Sequence, residues 1–126
     1  MYDPYLPVRR LLLWQAGYDG SMDFAWYWPF KDIWNDFDHP SYKDHNMVYP
    51  TKNGVIDTIQ WEGWREGADD CRYLSTLIRV IDEAKDPEAA KHAREWVEKL
   101  RNGGTEALHD LKGVREAMIG HIRACR

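Results

Sequence analysis

Cysteine is scarce in this chain: only Cys71 and Cys125 occur among 126 residues. They lie far apart on predicted helices, so one bridge or two idle thiols both fit, the thiols better. Positive charge is not in excess, with Lys and Arg together at 17 against 21 Asp and Glu, a net charge of −4. That balance removes the electrostatic case for a nucleic-acid footprint. No apolar run approaches the roughly 20 residues of a membrane span. Met1-Tyr2-Asp3-Pro4 opens without a basic segment leading into an apolar one, so no signal peptide is expected, and the compartment stays open. Internal repeats and low-complexity tracts are also lacking. Phenylalanine is rare at three, yet Trp and Tyr each number seven. Rings with a polar handle suit the half-buried walls of clefts better than a dry core.

Good helix formers run from Val8 to Ala16, with Pro7 ahead as a first-turn proline and Gly17 where a left-handed C-terminal cap belongs. Tyr18-Asp19-Gly20-Ser21 reads as a turn. Met22–Trp28 is aromatic, short and stopped by Pro29, which predicts a strand. Residues 29–46 make a long connection, of the kind more often functional than a short one. Met47-Val48-Tyr49 reads as a second strand ended by Pro50, and Lys52-Asn53-Gly54 as a turn.

Asp57-Thr58-Ile59-Gln60 has the pattern of a capping box and opens a helix predicted to reach about Lys85, jogged at Gly63 or Gly67. Leu74, Leu77, Ile78 and Ile81 form its apolar stripe. Asp86-Pro87 caps the next helix, faced by Ala89, Ala93, Trp96, Val97 and Leu100 and closed by Asn102-Gly103-Gly104. A last helix sets Leu108, Leu111, Val114, Met118, Ile122 and Cys125 inward. Two short strands alone make a marginal sheet, so the first half reads as unfinished.

Gln60-Trp61-Glu62-x-x-Arg65-x-Gly67-x-x-Asp70-x-x-Tyr73-Leu74, after Val48-Tyr49-Pro50 and Gly54, resembles the C-terminal part of the glycoside hydrolase family 123 catalytic domain. The broader grouping is the domain of unknown function 4091. Trp14, Gly17-Tyr18-Asp19-Gly20 and Trp26-Tyr27-Trp28 are similar to the segment before it. The likeness spans about residues 9–85, with Gln60, Trp64 and Cys71 as departures. It implies an α/β fragment: the last two strands and helices of a (β/α)8 barrel, Met22–Trp28 and Met47–Tyr49 being the strands. Residues 1–85 would be the barrel segment and 86–126 a two-helix extension packing on it.

In such barrels the site lies at the C-terminal strand ends. The resemblance therefore implies a glycan-hydrolysing parent, plausibly an N-acetylhexosaminidase, with sugar stacked on Trp26, Tyr27, Trp28, Trp34 and Tyr49. The family uses an adjacent Asp-Glu pair on an earlier strand. The adjacent pair here, Asp69-Asp70, falls within a predicted helix, so the catalytic acids are expected upstream and the isolated chain inactive. Glu62, Arg65 and Asp70 are expected to form a structural network, Glu62 and Arg65 being in reach at i, i+3. Trp61 and Trp64 read as core. Asp36, Asp38, His39, Asp44 and His45 lack a declared ligand geometry, so neither metal nor cofactor is expected. The alternative is a non-catalytic helical module that binds carbohydrate or a partner. Oligomeric state is left open.

Overall fold

The computed structural model describes residues 9–22 and 24–126. Pro7 and Val8, the expected lead into the first helix, lie outside them, as does Asp23 within the expected first strand. Helix α1 spans Arg9–Gln15, and short strands β1 (Tyr27–Trp28) and β2 (His45–Asn46) follow. A hairpin of β3 (Val48–Thr51) and β4 (Gly54–Asp57) leads into α2 (Ile59–Asp82), then α3 (Pro87–Asn102), a 3₁₀ turn (Glu106–Leu108) and α4 (Leu111–Ala124).

The chain is not the end of a (β/α)8 barrel. Its strands form two separate two-stranded antiparallel sheets, β1 with β2 and β3 with β4. Barrel strands run parallel and are joined by crossover helices. Here the partner of Tyr27–Trp28 comes from the connecting segment itself, with Tyr27 opposite Asn46 and Trp28 opposite His45. The expected strand over Met22–Trp28 shrinks to its last two residues. Pro50 does not end β3 but sits inside it, opposite Val55. The chain then turns at Lys52-Asn53 and returns as a strand that the capping-box reading passed over.

The helices carry the core. Thr58 has extended backbone and its hydroxyl accepts from the Trp61 amide, which starts α2. Gly63 and Gly67 lie buried within one continuous helix. Asp86 accepts from Glu88 N ahead of Pro87 in α3, and Asp110 accepts from Gly113 N in α4. Gly17, at φ 83°, closes α1: Tyr18 N donates to Leu13 O at 2.9 Å and Gly17 N to Trp14 O. Gln15 Nε2 then reaches Leu100 O at 2.6 Å, so a side chain of α1 satisfies a carbonyl near the end of α3.

Leu11, Leu74, Leu77, Ala93, Leu108 and Met118 meet in one core built by α1, α2, α3, the 3₁₀ turn and α4. Ile78 departs from its expected stripe and stays 40% exposed, while Val80 turns inward. Cys71 and Cys125 are both free thiols, and burial pushes Cys71 up from its ordinary range. Among the described residues no helix is long and apolar enough to cross a membrane.

His121 of α4 packs beside Trp96, ring centroids 5.3 Å apart. Burial first, and then the nearby His92, lower its pKa from 6.5. A histidine that gives up its proton more readily when folded adds stability above its unfolded value and loses it as pH falls through the lowered one. The melting temperature should therefore drop below about pH 6.5, and His121→Gln should flatten that arm of the profile. An unchanged acid arm in the variant would contradict it.

Candidate aromatic surface of the strand lobe

Residues 24–57 form a lobe whose polar groups brace its loop. Asp38 Oδ2 accepts from the Lys31 and Asp32 amides, Asp32 Oδ1 from Trp34 N, and Asn35 Oδ1 from Phe37 N. The last two are short side-chain-to-backbone turns, the local bonding that Asp and Asn make readily, while Asp38 closes a longer stretch of the loop back onto its start. Asp44 is buried, and its Oδ2 accepts from Phe30 N at 3.3 Å. Asp36 is the hub: its Oδ1 accepts from the Tyr49 hydroxyl and from Asn46 Nδ2, and Lys43 Nζ lies 3.3 Å from its Oδ2. Asn46 Oδ1 in turn accepts from Trp28 N at 2.9 Å, and Thr58 Oγ1 donates to Met47 O at 2.6 Å. The second bond ties the lobe to the cap of α2.

Burial, and then the bond to Asp36, push Tyr49 up to about 12. The phenol is thus held neutral as a donor, which orients its ring. Trp34 stacks on that ring at 5.5 Å and 22°, with its own outer face left to solvent at 59% exposure. A stacked aromatic pair fixed from below by a hydrogen bond is a rigid, half-wet platform.

The other expected contact residues fall into separate groups. Trp28 is exposed and packs against Phe24 at 5.7 Å, while Tyr27, on the alternate face, is half-buried. Trp26 is exposed but turns its edge to Trp61 at 4.8 Å and 88°. Trp61 stacks on Trp64 at 5.2 Å, and the Arg10 guanidinium lies 4.0 Å from the Trp64 ring centre. That array joins the lobe to α1 and α2. Of the five, only Trp34 and Tyr49 stack on each other.

Sequence reasoning missed the row formed by Phe30, His39 and Tyr42, with His39 4.4 Å from Phe30 and 4.9 Å from Tyr42. Its only local signal was the spacing of His39 and Tyr42 around Pro40. The acidic and histidine residues of the loop are occupied in bracing and stacking. Among the described residues no cluster of His, Cys, Asp or Glu has the geometry to hold a metal.

The expected network divides in two. Arg65 pairs with Glu62 at 2.7 Å and lies 3.8 Å from Asp69, which also holds Arg72, all along the exposed side of α2. Asp70 instead is fully buried and takes Arg115 of α4 through both carboxylate oxygens, Nη2 to Oδ2 at 3.0 Å. Arg115 also reaches Glu66 at 3.2 Å, and its pKa is raised above the ordinary value chiefly by the bond to Asp70. Arg115 joins α4 to α2 while the Arg65 pairs stay within α2, and both groups lie outside the aromatic lobe.

Compared with models of known protein families, with curated proteins and with solved structures, the chain matches none.

Proposed function

We propose that this chain is a non-catalytic module that binds neutral oligosaccharide through the exposed aromatic faces of its strand lobe. The observation that carries the reading is Trp34, stacked on a Tyr49 ring fixed by Asp36 and open on its other face. A flat indole held by its neighbours offers the apolar C–H face of a sugar ring a surface at little entropic cost. The sugar need not order the ring when it binds.

Charge favours a neutral ligand. Residues 30–57 contain five Asp against three Lys, which disfavours uronic or sialic acids. The likeness of Gln60–Leu74 to glycoside hydrolase family 123 suggests N-acetylhexosamine units as the first to try. The barrel is gone from this reading, and with it the idea that the chain closes one. Catalysis is not assigned to any residue.

The test is a titration of the chain with N-acetylglucosamine and glucose oligosaccharides, followed by tryptophan fluorescence and calorimetry. Saturable binding that needs Trp34, without cleavage of the sugar, supports the proposal. Binding to none of them, or binding indifferent to Trp34, contradicts it.

A further inference from the structure

The outer side of β4 is an open edge of the hairpin. Among the described residues β4 pairs with β3 alone, and all four of its residues, Gly54, Val55, Ile56 and Asp57, are exposed. Val55 is 51% and Ile56 50% exposed, although they lie on opposite faces of the strand. Nearby Ile59, at the foot of α2, is also exposed.

The direction of the free backbone groups follows from Pro50. It has no N–H and faces Val55, so that position of the ladder must be the non-hydrogen-bonded kind. The N–H and C=O of Val55 therefore point away from β3. By the two-residue period those of Asp57 do too. An outward row of donors and acceptors on an apolar strand is a template for another strand. The devices that usually blunt such an edge are missing from its middle: Gly54-Val55-Ile56 holds no charge, proline or bulge.

We propose that β4 docks on β4 of a second copy of this chain, antiparallel about a twofold axis at Val55. The charges single out this occupant. The edge is positive at its turn end, Lys52, and negative at its far end, Asp57, with apolar residues between. Antiparallel pairing sets the Lys52-Asn53 turn of each copy beside Asp57 of the other, whereas parallel pairing sets like charge against like. Val55 then exchanges both hydrogen bonds with its own copy, and Ile56 lies over Gly54. Two marginal hairpins become one four-stranded sheet. The edge is short, well under the roughly 1,200 Å² of a standard interface, so the dimer is weak and exchanges readily. This inference stands apart from sugar binding, although pairing would present two aromatic lobes at once.

Sedimentation of the full chain tests it, from about 10 μM to about 1 mM, the range in which so small an interface would respond. The weight-average mass should rise toward twice the monomer, and amide exchange at Val55 and Asp57 should slow with concentration. Val55→Lys should stay monomeric with an unchanged helical signal. Asp57→Lys should also weaken association, and Lys52→Asp combined with Asp57→Lys should restore it, so the conclusion does not depend on one variant folding. A chain that remains monomeric throughout overturns the proposal. So does a dimer that survives Val55→Lys, or one that leaves the Val55 and Asp57 amides unprotected.

Discussion

Arg115→Met should cost about 3–5 kcal/mol, the usual penalty for removing one partner of a buried ion pair. Asp70 has no exposed surface and, among the described residues, no other charged partner, so the variant strands its carboxylate inside the bundle. Asp70→Ala should cost less than Arg115→Met. The freed guanidinium, already 31% exposed, still has Glu66 and can extend to water. The double variant Asp70→Leu with Arg115→Met should recover most of the loss, because an apolar pair of similar volume often replaces such a bridge without penalty. Urea denaturation followed by the helical signal reads all three. Equal losses in the two single variants would mean that cavity formation, rather than a stranded charge, dominates. The pair joins α2 to α4, the two helices that pack most extensively on each other.

Trp34→Ala should lower oligosaccharide affinity by roughly 30-fold, the ~2 kcal/mol of a central aromatic contact. Its effect on stability should stay under about 1 kcal/mol, since more than half of the ring already faces water. Tyr49→Phe keeps the ring but deletes the bond to Asp36, so it should weaken binding less than Trp34→Ala while loosening the platform. Trp96→Ala, in the helical bundle, removes a partly buried ring of the core and should reverse the pattern: stability falls and affinity holds. Parallel calorimetry and denaturation of these variants separate recognition from packing.

The helical half was legible because its signals are local. The Gly17 cap, the Thr58 start and the Asp86-Pro87 entry each act within a few residues. The inward positions of α4 recur at helical period from Val114 through Met118 to Ile122. The strand lobe was not legible in that way. Tyr27–Trp28 and His45–Asn46 are two residues each, too short for a period to declare itself, and their pairing spans a loop braced by Asp38, Asp44 and Asp36. In the sequence Val55 and Ile56 carry no assignment between the turn and the capping box, and Asp57 reads as part of that box, because a strand of four residues ends where the cap begins.

Pro50 misled for a related reason. A proline ends a strand only where its N–H is wanted, and opposite Val55 it is not. Asp70 was grouped with Glu62 and Arg65 because spacing along one helix reveals neighbours on that helix alone. Arg115, 45 residues away, becomes visible only when α4 is packed against α2. The same limit applied to the aromatics. Composition announced a surface of Trp and Tyr, but only the tertiary fold divides it into the Trp34–Tyr49 platform and the Trp26–Trp61–Trp64 joint.

The central claim is that the open face of Trp34 receives sugar. The most direct measurement follows the seven indole N–H resonances while the chain is titrated with an N-acetylglucosamine oligosaccharide. The account predicts that the Trp34 signal moves first and saturates, with Trp14 and Trp96, packed against the helical core, unmoved. Seven stationary signals, or movement confined to the helical tryptophans, would contradict it.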